Sequence, residues 1–411
     1  MYAGDSAGRN QWWKRAAAVV AAVAVVAGCG THVTGTAVTA PVDPSAPVDP
    51  TLLDTANYPT VPVRLGPAGT PGIGAILDGQ RMLNFVPGPW DADPSLIEGG
   101  ALSPQVTARA SGLSLRVGDH VIAIADRLKL VNAVYTSRSS ENKTINHTVL
   151  RFPDPPTAAA AATEMADGSL RALVFKERVD RVPVPGHPEA LAVGALNTTG
   201  GANPPPHIVA VYTAHGPYVF HEEIVAESRE VATQLAGRML DLQIPLIDQF
   251  QPTNPADFAS IPRDPTGLLS RTLPLDDKDS PTTKGVYERS GTLHFQTDPV
   301  RSAALFDRAG LKALARANGT VYEAAHPAGA TAIMEDFADE VTSDYAPAAG
   351  VPNLNASRCF QLKAADNGPV QLSAGAYCVA TADQYVIEAQ GSQLQDLHHR
   401  VAAQYVMLTA G

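Results

Sequence analysis

The densest group of side chains with acid–base chemistry is His221-Glu222-Glu223, where a histidine stands beside two carboxylates. Such a group could bind a metal ion or transfer protons. On a β-strand, however, neighbouring side chains point to opposite faces, so His221 and Glu222 should diverge. No His-Glu-x-x-His motif follows. The segment is therefore predicted to be a solvated strand edge, not a catalytic or metal site.

The other candidate groups for catalysis are weaker. Ser140 and Lys143 have the Ser-x-x-Lys spacing of penicillin-binding enzymes, but the partner motifs are absent and the surrounding polar run is typical of a turn. His398 and His399 have no partner at helical spacing, which favours an exposed helix face. No Gly-x-Ser-x-Gly motif and no nucleotide-binding glycine loop occurs. The sequence thus predicts no catalytic residue, no metal ligand and no cofactor, and so favours a protein that is not an enzyme.

Trp90 is the one tryptophan beyond the first 13 residues. It could be an aromatic floor for a ligand, or it could fill the core beneath a loop. The second interpretation is favoured, because large aromatic side chains usually contribute to cores.

Cys359 and Cys378 each lie in a short strand-like segment. Two cysteines are too few for a structural zinc site, and no Cys-x-x-Cys motif occurs. In an oxidising compartment an even pair predicts a disulfide; the alternative is two buried free thiols. The first half of the chain has aliphatic residues at the matching places, such as Val211 opposite Cys378.

Cys29, the third cysteine, ends an N-terminal apolar segment. Ala16–Ala27 contains only Ala and Val, follows three basic residues, and is too short to span a bilayer comfortably. This order is typical of a secretory signal. Val26-Ala27-Gly28-Cys29 is similar to a bacterial lipobox, in which the cysteine receives a lipid; the alternative is a signal peptide with an accidental cysteine. Residues 1–28 are thus predicted to be a lipoprotein signal peptide and Cys29 the lipidation site.

The charge of the chain limits its partners. The formal net charge is −11, and without residues 1–28 it is −13, from 27 basic and 40 acidic residues. This argues against nucleic acid as a partner and against a polybasic grip on anionic lipids. Contact with a membrane is therefore expected through the lipid on Cys29, on the extracytoplasmic face of the cell membrane.

Two proline-rich stretches divide the rest of the chain. Residues 29–57 contain Ala-Pro-Val-Asp-Pro twice and predict an extended tether. Residues 251–286 contain six prolines without sustained periodicity and predict a linker. The predicted folded units are therefore residues 58–250 and 287–411.

These two units resemble each other in sequence. Thr148–Asp167 aligns without a gap with Thr320–Asp339, and the segments from Tyr218 and from Tyr385 share a pattern. The alternative is coincidence among alanines, but three matches in the same order favour a duplication. A further match of Tyr58 and Asp78 with Tyr287 and Asp307 requires an insertion in the first unit, near residues 97–147.

Each unit reads as a strand, an Ala-rich helix, further strands that include a hairpin, and a closing amphipathic helix. This order predicts an α+β fold, formed twice, with a mostly antiparallel sheet and its helices on one face. We expect the two units to meet across a polar seam, where a ligand pocket is favoured.

The lipobox, the segment YPTVPVRLG, the stretch Gly79–Leu96 and the late cysteine pair resemble an uncharacterised family of actinobacterial, chiefly mycobacterial, cell-envelope lipoproteins. The resemblance implies a lipid-anchored protein with two α+β units and supplies no catalytic residues. A binding or scaffolding lipoprotein of the envelope is therefore expected, with a lipid, glycan or protein as ligand. The alternative is an exported hydrolase whose site is assembled from dispersed residues.

Overall fold

The computed structural model describes residues 47–100, 103–172, 176–199, 201–275, 284–363 and 375–410. The predicted signal peptide, Cys29 and most of the predicted tether lie outside these residues. In the described part of the chain, no helix is both long and apolar enough to cross a membrane.

The first unit is built on an eight-stranded sheet with the order β1-β3-β4-β8-β7-β6-β5, in which β2 also pairs with β3 and all pairs are antiparallel. Its strands are β1 (Glu98–Gly99), β2 (Gln105–Thr107), β3 (Asn132–Ser139), β4 (Thr144–Arg151), β5 (Glu177–Val182), β6 (Leu191–Leu196), β7 (His207–His215) and β8 (Tyr218–Ala226). Its helices are α1 (Pro71–Met82), α2 (Pro89–Ala92), α3 (Asp119–Arg127), α4 (Pro155–Ala172) and α5 (Arg229–Ile247).

The second unit has a seven-stranded antiparallel sheet with the order β12-β13-β14-β15-β11-β10-β9. Its strands are β9 (Gly285–Tyr287), β10 (Ala313–Arg316), β11 (Thr320–Glu323), β12 (Tyr345–Ala348), β13 (Ser357–Leu362), β14 (Ala376–Ala382) and β15 (Tyr385–Gly391). Its helices are α6 (Arg289–Leu293), α7 (Pro299–Ala309), α8 (Pro327–Glu340) and α9 (Leu394–Thr409).

The two sheets have the same strand order, which confirms two related α+β units. β4-β8-β7-β6-β5 corresponds to β11-β15-β14-β13-β12, and the closing helices α5 and α9 follow equivalent strands. Register supports the match, because Thr148 lies opposite His221 as Thr320 lies opposite Glu388.

The predicted insertion near residues 97–147 is wrong. β2 pairs with β3 as β9 pairs with β10, and α3 precedes β3 as α7 precedes β10. Most of residues 105–139 therefore has a counterpart in the second unit. The residues without one lie upstream, in the segment that contains α1, α2 and β1. Asp78 and Asp307, aligned by sequence, belong to helices with different places in the fold.

The helices cover both faces of each sheet, not one face as predicted. Neighbouring residues of β4 show this: Leu150 packs in a cluster with Met165 of α4, whereas Val149 packs in a cluster with Leu235 of α5. The second unit repeats the arrangement, with α7 and α8 on one face and α9 on the other. Both faces of the central strands are buried as a result.

The seam between the units is more apolar than predicted. The largest hydrophobic cluster is continuous across it and includes Phe220 and Leu235 of the first unit and Phe306 and Phe337 of the second. Burial of this shared apolar surface is the main favourable contribution expected from such a contact. The two sheets therefore share one core at the seam.

The local sequence explains where the main elements begin and turn. Helix α7 starts at Pro299 after Asp298, whose side chain accepts a hydrogen bond from a backbone N–H of the first turn, as an N-cap should. Ser228 caps α5 in the same way. The β7–β8 hairpin turns at Gly216, whose φ of 53° lies in the left-handed region that favours glycine.

The predicted tether packs on the second unit before it reaches residue 57. Leu53 is buried in the hydrophobic cluster beneath α9, and Asn353 donates a hydrogen bond to the carbonyl of Leu52. The hydroxyl of Tyr58 donates to Asp396 of α9 at 2.7 Å. We call residues 47–58 the N-terminal strap.

The described residues of the predicted linker, 251–275 and 284–286, are also folded. Its 3₁₀ turn Pro255–Ser260 packs so tightly on α1 that a Cβ at Gly74 would lie 2.0 Å from the carbonyl oxygen of Phe258. Its last residues form β9 of the second sheet. Contacts with α1 and with this sheet thus hold the described residues of the linker in place.

Candidate functional site

An apolar pocket lies where the first unit, the predicted linker and the second unit meet. We call the linker, residues 251–286, the connecting segment. Its volume is about 370 Å³, within the range of small-molecule sites. Residues 63–77 form one side, residues 263–275 together with Lys284 form another, and Ala317 and Met407 belong to the second unit. We call it the seam pocket. The apolar side chains that line it are Val63, Leu65, Ile73, Ile76, Leu77, Leu269, Pro274, Leu275, Ala317 and Met407.

Backbone pairing holds two walls of the seam pocket together. The N–H of Val63 donates to the carbonyl of Ser270 at 3.0 Å, and the N–H of Ala68 donates to the carbonyl of Ile261 at 2.8 Å. Proline residues interrupt both strands of this pairing and leave it short. The side chains of Val63 and Leu65 remain 54% and 37% exposed, so the pocket is open to solvent.

Arg263 and Lys284 supply the charge of the seam pocket. Arg263 donates to the carbonyl of Ala68 at 2.9 Å, and Lys284 donates to the carbonyl of Leu275 at 3.0 Å. Of the described residues that line the pocket, none is acidic or a histidine. The site thus combines an apolar interior with two cations, a combination suited to an amphiphile with an anionic group.

The predicted solvated edge at His221-Glu222-Glu223 is wrong. His221 and Glu222 do point to opposite faces, but helices cover both, and the residues are 3% and 0% exposed. His221 stacks on Tyr212 with ring centroids 4.5 Å apart. Glu222 faces α5 instead, beside His147.

Glu222 and His147 form a buried pair without solvent access. The Glu222 oxygen and Nδ1 of His147 are 3.6 Å apart, and the other ring nitrogen of His147 lies 2.8 Å from the side-chain oxygen of Gln243. Burial raises the pKa of Glu222 to about 8 and lowers the pKa of His147 to about 4. Both groups are therefore mainly neutral at pH 7, as buried groups without a full set of partners should be.

Residues 65–263 match the family described as Domain of unknown function (DUF7373) N-terminal, and residues 268–411 match its C-terminal counterpart. The chain belongs to the DUF7373 family. The two matched regions meet within the segment that lines the seam pocket, between Arg263 and Leu269. The expected membership of a family without an assigned function is confirmed, while its lipoprotein and actinobacterial character stays a prediction.

The DUF7373 chain is also similar to a solved structure titled "Crystal structure of the extracellular domain of PknH from Mycobacterium tuberculosis". The identity is 12%, the TM-score is 0.26, and the match covers 37% of this chain and 81% of that one. A likeness of this size carries no argument about function. A comparison with curated proteins finds no match.

The remaining candidate residues of this DUF7373 protein have structural contacts, and for Ser140 the contact is the hydrogen bond from its backbone N–H to the carbonyl of Lys143. Ser140 and Lys143 lie at the β3–β4 turn, where Lys143 binds Asp93 at 2.5 Å. His398 lies 3.0 Å from the carbonyl oxygen of Ala349, and a ring nitrogen of His399 lies 3.2 Å from a carboxylate oxygen of Asp54 in the strap. None of these groups lines the seam pocket.

Trp90 fills the core, as favoured. It is 5% exposed, and its ring lies 5.0 Å from the ring of His294 and 5.4 Å from the guanidinium carbon of Arg138. Arg138 also donates to the carbonyls of His294 and Gln296. Trp90 therefore covers a polar connection between the units and is not an exposed platform for a ligand.

The predicted disulfide joins Cys359 of β13 to Cys378 of β14, which lie directly opposite each other with Cα atoms 4.1 Å apart. His398 is close to both sulfurs, but a disulfide offers no thiolate to a metal ion. The equivalent positions in the first sheet are Ala192 and Val211, also opposite each other. The bond is thus specific to the second unit.

Sequence reasoning missed the residues of the seam pocket. Val61, Val63 and Leu65 alternate with other residues in the segment YPTVPVRLG, and all three are exposed. This period-two pattern is typical of one face of a strand. It could have indicated an apolar surface here, but the wall that faces it comes from residues about 200 positions away.

Proposed function

We propose that the protein is a lipid-anchored extracytoplasmic binding protein of the bacterial cell envelope, and that it holds the apolar part of an envelope lipid in the seam pocket. The observation that carries this proposal is the chemistry of the pocket. Its interior is apolar, it is open to solvent, and it has two cations but no acid or histidine among the described residues that line it. An acyl chain with an anionic head group fits this combination.

The same chemistry favours binding over hydrolysis. An exported hydrolase would need a nucleophile, or a carboxylate with a histidine, within reach of the bound molecule. Glu222 with His147 is a buried acid–histidine pair without solvent access, and His187 with Asp241 is a pair open to solvent; neither pair lines the pocket. The favoured activity is therefore retention of a ligand.

Two features support the proposed location. Disulfides persist in oxidising compartments and are rare in the cytosol, and Cys359–Cys378 is such a bond. The lipobox at Cys29 would then supply the anchor. Cys29→Ala should move the protein from the membrane fraction to the soluble fraction, or leave its precursor uncleaved. Processing and membrane retention equal to wild type would contradict lipidation.

Ligand binding can be tested separately from anchoring. The protein from residue 30 onward would be titrated with a fluorescent long-chain fatty acid, and Val63→Asp should lower the affinity by about tenfold or more, because a charge would enter the apolar wall. Val61→Asp is the matched control. Val61 is 69% exposed, two residues away and outside the pocket lining, so this variant should bind like wild type.

Native mass spectrometry of the protein from an envelope extract would identify the natural ligand. We expect a lipid adduct on wild type and on Val61→Asp, and none on Val63→Asp. Absence of fatty-acid binding and of any lipid adduct on wild type would overturn the proposed function.

A further inference from the structure

A second cavity, different in chemistry from the seam pocket, lies in the second unit at the open end of β10, β11 and β15. Its volume is about 240 Å³, which suits a small molecule. The polar and charged side chains that line it are Arg316, Asn318, Thr320, Tyr322, Glu388, Gln390 and Arg400. We call it the polar pocket.

Arg316 is the least satisfied charge of the polar pocket. Among the described residues, none accepts a hydrogen bond from its guanidinium group and none forms an ion pair with it. The group lies over the ring of Phe295, with its carbon 4.4 Å from the ring centroid. This stacking orients the guanidinium and leaves its N–H donors available for a planar anion.

The carboxyl group of Glu388 is oriented in the same cavity. The hydroxyl of Tyr322 donates to one of its oxygens at 2.8 Å, and the amide of Gln296 donates to the Tyr322 oxygen at 3.4 Å. Burial raises the pKa of Glu388, while Arg316 opposes this shift. Glu388 is thus a preorganised acceptor beside a cation.

A second arginine makes the polar pocket positive overall. Arg400 donates to the carbonyls of Gln390 and Asn318, which engage its donors but leave its charge uncompensated. Two positive groups therefore stand against the single carboxyl group of Glu388. In a chain with a net charge of −11, this local balance favours an anion.

The fold does not require these residues. By strand register, Arg316 and Glu388, which both lie opposite Thr320, correspond to Tyr135 and His221, which both lie opposite Thr148. Both first-unit side chains are buried, and they build the α4 face of that sheet. The same framework thus folds without the guanidinium and the carboxyl group.

We propose that the polar pocket is a binding site for a small hydroxylated anion of the sugar-acid class. The carboxylate of the ligand would bind Arg316, and a neighbouring hydroxyl would donate a hydrogen bond to Glu388. An anion without a hydroxyl would lose the second contact, and a neutral sugar would lose the first. This site is independent of the lipid-binding function proposed above.

Titration calorimetry of the protein with glucuronate, glucose and acetate tests the proposal. We expect glucuronate to bind, and glucose and acetate to bind about tenfold more weakly or not at all. Arg316→Gln should weaken glucuronate binding by about tenfold or more, and Glu388→Gln should reduce the preference for glucuronate over acetate. Arg358→Gln, at an exposed arginine of the same sheet outside the cavity, should have no effect.

Arg316→Tyr distinguishes loss of binding from loss of folding. Its fold should be retained, because tyrosine stands at the equivalent position of the first unit. This variant should keep the thermal unfolding curve of wild type and lose glucuronate binding. Equal affinity for glucuronate in wild type, Arg316→Gln and Arg316→Tyr would overturn the proposal. So would the absence of glucuronate binding to wild type, or equal affinity of wild type for acetate.

Discussion

Asp78 of α1 and Arg151 at the end of β4 form an ion pair in which a carboxylate oxygen and a guanidinium nitrogen are 2.6 Å apart. The Asp78 side chain is fully buried. It also accepts hydrogen bonds from the side-chain amide of Asn132 and from the backbone N–H of Thr253. One carboxylate therefore joins the upstream segment, the first sheet and the connecting segment.

Asp78→Asn should destabilise the protein strongly, because it leaves the guanidinium of Arg151 buried without its charge partner. A loss of about 3–5 kcal/mol in the free energy of unfolding is expected. Urea unfolding measures it. Asp307→Asn is the control, since the Asp307 side chain is 66% exposed in its ion pair with Arg289 and the loss should stay within about 1 kcal/mol. Similar losses in the two variants would contradict this assignment.

Glu222→Gln should change how stability depends on pH. The pKa of Glu222 is about 8 in the folded protein and about 4.3 in an unfolded chain, so between these values the folded state holds a proton that the unfolded state releases. The contribution of Glu222 to stability therefore falls as pH rises through this window and is constant above it. The free energy of unfolding of Glu222→Gln, relative to wild type, should rise by roughly 1 kcal/mol per pH unit from about pH 6 to pH 8.

The buried histidines change the free energy of unfolding in the opposite direction, and they do so at lower pH. Burial lowers the pKa of His147 and of His221 to about 4, so their contribution is lost as pH falls below about 6.5. Wild type and Glu222→Gln both contain these histidines, so the effect of the histidines largely cancels when the two proteins are compared. Urea unfolding at several pH values gives the measurement, with Glu227→Gln at an exposed site as control. A pH-independent difference between Glu222→Gln and wild type would show that Glu222 is already ionised.

Replacing Cys359 by alanine and Cys378 by valine should lower stability by about 3 kcal/mol, because the cross-link closes a loop between residues 19 positions apart. The pair Ala-Val is chosen because Ala192 and Val211 occupy these places in the first sheet. Wild type in reducing buffer is the control and should lose a similar amount. Unchanged stability in both would mean that the bond adds nothing to the fold.

Tyr58→Phe should loosen the N-terminal strap. The variant removes the hydroxyl that donates to Asp396 at 2.7 Å, which is worth about 1 kcal/mol. Limited proteolysis should then cut residues 47–58 faster, with little change in global unfolding. A double-mutant cycle with Asp396→Ala isolates this contact. Additive effects of the two substitutions would argue against the bond.

The sequence predicted the duplicated part of the fold where secondary structure and register agree. The ungapped match of Thr148 with Thr320 holds because both residues lie in equivalent strands. The match of Asp78 with Asp307 is wrong because the two aspartates lie in different structural environments. One is a buried centre of hydrogen bonds, and the other is an exposed partner of Arg289.

The sites were harder to predict for a physical reason. Strand alternation correctly separated His221 from Glu222, but it could not show that helices cover both faces of the sheet. Likewise, the alternating apolar residues Val63 and Leu65 form part of a pocket only because they lie beside Leu269, which is remote in sequence. Local patterns determine which way a side chain points, and the long-range packing determines what it meets.

The N-terminal strap determines which unit a pulling force at the N-terminus would reach first. Although the first unit comes earlier in the chain, residues 47–58 are held by the second unit through Leu53, Asn353 and Asp396. A load applied at the N-terminus therefore reaches the C-terminal unit first. The first unit, with its wall of the seam pocket, would bear tension only after the contacts of the strap with the second unit have broken.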